Sequence, residues 1–383
     1  MLPVLKISHF SLSLAAALTV LCSTADAFTY KTLYAFKGGS DGAKPLAGVA
    51  VDAAGNVFGT TSQGGNTGCS HHLGCGTVFK IAPDGTETIL TVFSARKNGR
   101  NPEAPPLIDP QGNLYGTTLH GSKRCSYPRE SCGTVFKIGL DGAESVLHHF
   151  RGGFDDGALP RDAALIMDKS ENLYGVTLDG GDDHGGVIFE ITSAGRESLL
   201  FNFSISTNAP RGTLLRDGAG DLYGAADNAV FRLASDGSYT VLHQFNGTDG
   251  NDPDGGLIAD KEGNLYGTTA IGGQNGFHCQ EFGCGTIFKL APDGRFTTLY
   301  AFDGAYAYGP YGSLVADKRG NLYGTANQIF ELSEDGQLTL LGIEEPNPGL
   351  AMDTNGNLYG TTWAGGDSKS SKYGCGFVFE LIP

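Results

Sequence analysis

NLYGTT, at residues 113–118, is the stretch that decides the fold, because close copies of it recur along the chain at the spacing of a repeat protein. The copies lie at residues 56–61, 172–177, 221–226, 264–269, 321–326 and 357–362. A second block follows each first block, as GTVFK does at 76–80 and 133–137. The sequence therefore consists of seven copies of one unit.

Each unit predicts four short strands, named A to D. Strand A is an apolar stretch ending in Asp, as at Asp52; NLYGTT is strand B, GTVFK is strand C, and a stretch such as TETILTVF, ending at Phe93, is strand D. Tight turns join A to B (Asp52 to Asn56) and C to D (Asp84-Gly85), which indicates an antiparallel meander. We interpret the repeated Asp as a turn residue in preference to a calcium ligand. Both faces of the meander carry bulky side chains, so radial packing of blades is favoured.

The two ends of the chain predict how the ring closes. Residues 29–36, TYKTLYAF, form a D-type strand with no A, B or C before it, and the chain ends after a C-type strand. We therefore expect residues 28–383 to form one all-β domain, a seven-bladed β-propeller of four-stranded antiparallel blades closed by the N-terminal strand. The alternative, an open solenoid, requires polar caps at both ends.

Residues 1–27 are predicted to be a signal peptide, with Lys6, an apolar run from Phe10 to Leu21, and small residues Ala25 and Ala27 near the cut. The protein is then secreted or periplasmic, without membrane insertion. Its formal net charge of −15 disfavours nucleic acid as a partner. We expect a monomer.

The units resemble the GloVer tandem repeat of exported bacterial proteins, whose pattern combines a DG-containing loop, an NLYGTT block and a GTVFK block. The resemblance covers essentially the whole chain after residue 27. It implies a propeller-like array on proteins that often carry C-terminal surface anchors, and it attaches no general enzymatic activity to the repeat. This chain departs from that pattern by ending at FVFELIP, so the resemblance does not extend to surface attachment.

Cysteines occur in pairs in three long B–C loops. Pairs at equivalent loop positions of an exported protein indicate disulfides: Cys69 with Cys75, Cys125 with Cys132, and Cys279 with Cys284. Zinc binding by the CSHHLGC loop, through Cys69, His71, His72 and Cys75, is the alternative, but the other two loops lack the histidine pair. Cys375 is then the unpaired thiol, either buried or bridging to another molecule.

Catalytic candidates are few. The sequence contains no nucleophile elbow, zinc-protease motif, phosphate loop or cofactor fingerprint, so no metal and no cofactor are expected. The groups that can supply acid and base over the central channel are His120, His184, His278, Asp182 and Asp183. Single histidines in Gly-rich loops are more often solvated than catalytic.

The long D–A and B–C loops emerge on one face of the disc, which is the expected working face. Aromatic residues concentrate there in blades 6 and 7. The candidates for ligand binding are Tyr306, Tyr308, Tyr311 and Trp363. An equally simple explanation is that these rings pack between neighbouring loops.

Two hypotheses for function follow. The first is a non-enzymatic binding or scaffold protein that recognises a polysaccharide or a protein through the loop-rich face. The alternative is an extracytoplasmic hydrolase or lyase with its active site at the channel mouth. An enzyme should gather groups of shifted pKa at one spot, whereas a binding protein should show an aromatic or polar patch without such a cluster.

Overall fold

The computed structural model describes residues 28–66, 68–69, 73–95, 97–121, 125, 132–204, 209–276, 279, 282–305, 307–366 and 374–383. Within these residues the chain forms seven four-stranded antiparallel sheets, arranged as the blades of a β-propeller. This confirms the predicted fold class. A two-stranded ribbon, which the repeat pattern did not predict, accompanies blade 3.

The strands are numbered in chain order. Those up to blade 3 are β1 Thr29–Ala35; β2 Ala50–Val51, β3 Val57–Thr61, β4 Thr77–Ile81, β5 Glu87–Val92; β6 Leu107–Ile108, β7 Leu114–Thr118, β8 Thr134–Ile138, β9 Glu144–His149; β10 Gly157–Ala158, β11 Ile166–Met167, β12 Leu173–Thr177, β13 Asp179–Gly180, β14 Val187–Ile191, β15 Glu197–Asn202. Those of blades 4 to 7 are β16 Arg211–Arg216, β17 Leu222–Ala226, β18 Ala229–Leu233, β19 Tyr239–Gln244; β20 Ile258–Ala259, β21 Leu265–Thr269, β22 Thr286–Leu290, β23 Phe296–Ala301; β24 Tyr311–Ala316, β25 Leu322–Thr325, β26 Gln328–Leu332, β27 Leu338–Glu344; β28 Ala351–Met352, β29 Leu358–Thr362, β30 Phe377–Ile382. A 3-10 turn spans Gly39–Asp41.

The N-terminal strand closes the ring as predicted. Blade 7 has the strand order β1-β30-β29-β28, so β1 is its outer strand. The antiparallel register runs from Thr29 opposite Ile382 to Ala35 opposite Phe377. Leu33 and Phe36 are buried against blade 1, so this segment both completes one blade and contacts the next.

The repeated Asp builds the A–B turn. In blade 1, Asp52 Oδ1 accepts the backbone N–H groups of Ala54 at 2.9 Å and Asn56 at 2.8 Å, and Oδ2 accepts the Asn56 amide at 2.7 Å. The same arrangement recurs at Asp109 and Asp353. Both carboxylate oxygens are used within the turn, which explains the repetition without a metal.

A glycine on strand B lies under a phenylalanine on strand C in every blade, and this explains the YG and VF of the repeat. A Cβ on Gly59 would lie 2.4 Å from Phe79 Cζ, so only glycine leaves room for the ring. The equivalent pairs are Gly116–Phe136, Gly175–Phe189, Gly224–Phe231, Gly267–Phe288, Gly324–Phe330 and Gly360–Phe379. These seven rings are fully buried and form the centres of the blades.

Neighbouring blades are joined by a second phenylalanine, at the end of strand D. Phe36 packs edge-on against Phe79 of blade 1, with 5.0 Å between ring centroids. Similar pairs, at 5.1 to 5.7 Å, are Phe93–Phe136, Phe150–Phe189, Phe203–Phe231, Phe245–Phe288 and Phe302–Phe330. Between blades 6 and 7 the position is taken by Ile343.

In the part of the chain that the structure describes, no helix has the length and apolar character needed to cross a bilayer.

Candidate functional site

A cavity of about 270 Å³ lies where the seven inner strands begin, at the mouth of the central channel. In each blade a proline precedes strand A, and we call the seven residues that directly follow these prolines the mouth ring. Its members are Leu46, Glu103, Arg161, Arg211, Asp254, Tyr311 and Asn347. Six of them, together with Asp162, line the cavity. Asn347 is buried and donates hydrogen bonds to Pro45 O and to Thr361 Oγ1.

Small residues after the mouth ring bring the inner strands close together. A Cβ on Gly255 would lie 2.2 Å from Gly312 O, and one on Gly48 would lie 2.7 Å from Gly349 O. Backbone therefore approaches backbone at this level of the channel. Since the cavity opens just above these contacts, the side chains of the mouth ring determine what it can bind.

Charged members of the mouth ring are paired across blades 2 to 5. Arg161 Nε lies 3.4 Å from Glu103 Oε2 and 3.1 Å from Asp162 Oδ2. Arg211 Nη1 donates to Asp254 Oδ1 at 2.9 Å. Blades 6, 7 and 1 instead contribute rings and apolar side chains, namely Tyr311, Pro348 and Leu46. The mouth is thus charged on one side and largely apolar on the other.

Two groups of strongly shifted pKa lie in this region. Burial raises the pKa of the Glu103 carboxyl to about 7, and Asp162 adds to this rise while Arg161 opposes it. Burial, together with the charges of Arg100 and Arg161, lowers the pKa of His120 to about 4. Groups shifted this far, next to a concave surface, are typical of functional sites.

The structure separates the four aromatic candidates. Tyr311 lines the cavity, with 39% of its surface exposed. Tyr308 packs against the core between blades 5 and 6. Trp363 lies under Lys44, whose ammonium group is 4.5 Å from the ring centroid and donates to Trp363 O at 3.1 Å. Tyr306 falls outside the described residues.

The described acid and base candidates lie in two blades, 2 and 3. His184, Asp182 and Asp183 are exposed on the B–C loop of blade 3, where His184 Nδ1 lies 3.3 Å from Asp179 Oδ1 and its ring is 5.6 Å from that of Phe154. His120 follows strand β7 of blade 2, and its backbone pairs with that of Arg100. His278 lies outside the described residues. None of the described candidates lines the cavity.

Of the mouth ring, sequence reasoning found only Tyr311, although a signal for the other positions was present. When the seven units are aligned on the proline before strand A, the next residue varies among Leu, Glu, Arg, Asp, Tyr and Asn. The positions that follow are mostly Gly, Ala, Ser or Thr. A variable residue directly after a repeated proline is therefore the sequence signal that the blades differ at this position.

The three predicted disulfides are present. They join Cys69 to Cys75, Cys125 to Cys132 and Cys279 to Cys284, with Cα–Cα distances of 5.1, 5.5 and 5.3 Å. Cys375 keeps its thiol and is buried; its carbonyl accepts the Lys44 N–H at 2.9 Å. Disulfides of this number are typical of extracytoplasmic proteins.

The stability that Glu103 and Glu87 contribute should decrease as the pH rises from about 5 to about 8. Glu103 and Glu87 have an ordinary pKa of 4.5 that burial raises to about 7, so the folded chain holds protons that the unfolded chain releases. The stability linked to these protons is full below pH 4.5 and is lost as the pH rises to about 7, about 3 kcal/mol for Glu103. Thermal unfolding across this pH range measures the loss.

Glu103→Gln should flatten this dependence, because the amide does not titrate. Glu144→Gln is the control: Glu144 accepts hydrogen bonds from Asn98 at 2.8 Å and Thr91 at 3.1 Å, which an amide oxygen can also accept. A difference in Tm between the parent and Glu103→Gln that stays constant from pH 5 to pH 8 would contradict the raised pKa of Glu103.

Comparison with known proteins identifies the repeat and the architecture. A family model described as Gloeobacter/Verrucomicrobia repeat matches residues 19–163, 70–229 and 227–343. Among solved structures, virginiamycin B lyase from Staphylococcus aureus is similar, with a TM-score of 0.63 and 15% identity over 93% of this chain and 99% of that one. A streptogramin B lyase is also similar, with a TM-score of 0.61 and 13% identity over 92% of this chain and 97% of that one. At such identities the similarity shows the fold. No curated protein sequence matches the chain.

Proposed function

The chain belongs to the Gloeobacter/Verrucomicrobia repeat family, and from this scaffold and its channel mouth we propose that it is an extracytoplasmic binding protein that holds the end of a polysaccharide in the mouth ring. It acts as a monomer, secreted or periplasmic. The observation that carries the proposal is the single variable position per blade, which supplies guanidinium, carboxylate and phenol groups to one cavity.

The chemistry of the mouth ring suits a sugar. Carboxylates such as those of Glu103 and Asp254 accept hydrogen bonds from hydroxyl groups, and the guanidinium groups of Arg161 and Arg211 donate them in a fixed planar geometry. Tyr311, on the apolar side of the mouth, offers an exposed ring for the apolar face of a pyranose.

The size of the cavity favours a chain end. About 270 Å³ is slightly less than the usual volume of a pocket for a drug-sized ligand, roughly 300–1,000 Å³. One terminal sugar residue fits such a space, whereas a long stretch of polysaccharide requires an open groove. The remainder of the polysaccharide then lies across the loop-rich face, where Phe154 and Phe282 are exposed.

Arg211→Ala and Tyr311→Ala should each weaken binding by at least about tenfold, because each removes a charged donor or a stacking ring from the cavity. An array of defined neutral and uronic-acid oligosaccharides finds the best probe, and calorimetry measures its affinity for parent and variants. Arg319→Ala, on an exposed A–B turn, and Tyr30→Ala, on the outer strand, are matched controls that should bind like the parent.

Two outcomes would reject this assignment. The first is that no oligosaccharide binds to the parent protein, which would leave a protein as the partner. The second is that the parent binds a sugar but both mouth variants bind it equally well, which would place the binding surface elsewhere on the loop-rich face.

A hydrolase or lyase is the second candidate, and the pKa of Glu103 supports it. A carboxyl that titrates at about 7 is matched to general acid–base catalysis near neutral pH. The same array, incubated and analysed for cleavage, separates the two functions. If Glu103→Gln abolishes turnover of a sugar that it still binds, the protein is an enzyme.

A further inference from the structure

Three side chains with metal-binding atoms meet between blades 2 and 3, outside the channel mouth. His148 lies on β9, Asp156 on the following loop, and Glu197 is the first residue of β15. One ligand atom from each lies within 4.8 Å of the other two. Asp156 is fully buried, with its Oδ1 at 3.2 Å and Oδ2 at 3.3 Å from His148 Nε2.

The same three positions occur at other blade interfaces, and the comparison shows how the blade 2–3 interface differs. The sets are Tyr34, Asp41 and Glu87 between blades 7 and 1; Thr91, Asn98 and Glu144 between blades 1 and 2; and His243, Asp249 and Phe296 between blades 4 and 5. In each of these three sets the side chains bond to or stack on one another. Tyr34 donates a hydrogen bond to Asp41 at 2.5 Å, and Asn98 donates one to Glu144 at 2.8 Å. The His243 ring stacks on that of Phe296, with 3.8 Å between ring centroids. Of the four sets, the one between blades 2 and 3 combines an imidazole with two carboxylates.

Glu197 Oε1 is buried and accepts no hydrogen bond from any described residue. The Oε1 atoms of Glu87 and Glu144 are also buried without a partner. Those sets contain neutral donors, however: the phenol of Tyr34 in the first, and the Asn98 amide and Thr91 hydroxyl in the second. At Glu197 the neighbours are a second carboxylate and a histidine. Two carboxylates this close, one fully buried and one partly buried, are costly unless a proton or a cation lies between them.

We propose that His148, Asp156 and Glu197 bind one divalent transition-metal ion, best matched by Zn²⁺, which joins blades 2 and 3. Imidazole nitrogen and carboxylate oxygen are both zinc ligands, and three of them leave the fourth tetrahedral position to water. Calcium prefers six to eight oxygen ligands, which this set does not supply.

Arg151 competes with the ion for the Asp156 carboxylate. Its Nε donates to Asp156 Oδ2 at 3.0 Å, and its backbone N–H donates to the same oxygen at 2.9 Å. Asp156 Oδ1 accepts the Gly157 N–H at 2.7 Å and keeps a second lone pair for the ion. The Arg151 side chain is 41% exposed, so it can turn into solvent when the ion binds.

Titration of the chelator-treated protein with Zn²⁺ in a calorimeter tests the site. The expected result is one equivalent bound, with a rise in Tm that Ca²⁺ does not reproduce. His148→Asn and Glu197→Gln should each weaken zinc binding by at least about tenfold, since each removes a ligand. His243→Asn and Glu144→Gln, at the equivalent positions of other interfaces, should bind zinc as the parent does.

If His148→Asn fails to fold, Glu197→Gln alone still tests the zinc site. The amide is isosteric and removes one of two crowded carboxylates, so the metal-free variant should melt above the parent while losing the zinc-dependent rise in Tm. A parent that binds no zinc, or a zinc affinity unchanged in both ligand variants, would overturn the proposal; in the first case a proton shared by Asp156 and Glu197 accounts for the cluster.

Discussion

A chain that begins at Gly38 is expected to melt far below one that begins at Phe28, because it lacks the outer strand of blade 7. The deletion removes Leu33 and Phe36 from the core and leaves β30 paired on one side only, with β29. Loss of two such side chains alone costs on the order of 5–10 kcal/mol. Differential scanning calorimetry of the two proteins measures the effect.

A permuted chain separates ring closure from simple truncation. Thr29 lies opposite Ile382, so a short Asp-Gly turn can connect Pro383 to residues 28–37 and recreate the C–D hairpin of the other blades. The permuted protein should recover most of the lost stability. Equal melting temperatures for the truncated and longer chains would show that β1 does not close the ring.

Phe136→Ala is expected to destabilise the protein by about 3–5 kcal/mol, the usual cost of emptying a fully buried phenylalanine site. The ring fills the centre of blade 2 above Gly116 and contacts Phe93, its partner at the end of strand D of blade 1, at a centroid distance of 5.1 Å. The loss therefore affects one blade and one interface together. Urea unfolding measures the free energy, and Leu140→Ala, at a site that is 76% exposed, should change it little.

The glycine under the ring gives a second measure of the same contact. A Cβ on Gly116 would lie 2.6 Å from Phe136 Cζ, so Gly116→Ala should cost about 1–3 kcal/mol by overpacking. In the double variant with Phe136→Leu the two costs should not add, because the shorter side chain makes room for the methyl group. Strict additivity would show that the ring does not rest on the glycine.

Much of the architecture could be predicted from sequence because local signals recur from unit to unit: the Asp of the A–B turn is present in all seven units and the Asp-Gly of the C–D turn in five. The Asp of the A–B turn, the Asp-Gly of the C–D turn and the orphan strand at 29–36 each have a direct structural cause, and the cysteine pairs follow from their equivalent loop positions. The ribbon of Gly157–Ala158 with Asp179–Gly180 was not predicted, because it depends on one loop and not on the repeat.

The site was harder to predict because it depends on distances between blades. Tyr308 and Trp363 were grouped with Tyr311 as aromatic residues of neighbouring loops, yet only Tyr311, of these three, lines the cavity. The pKa of Glu103 depends on burial and on Asp162 of the next blade. Asp162 occupies an extra residue in the approach to β11, with a φ of 58°. A comparison of single units does not reveal such neighbours.

The offset between repeat and blade has an evolutionary consequence. Blade 7 is assembled from β1 and from β28 to β30, so the segments that seal the circle belong to no complete unit. Duplication or loss of any complete internal unit leaves these segments intact. In proteins built this way, one duplication or deletion can therefore change the number of blades while the strand pairing that closes the ring stays the same.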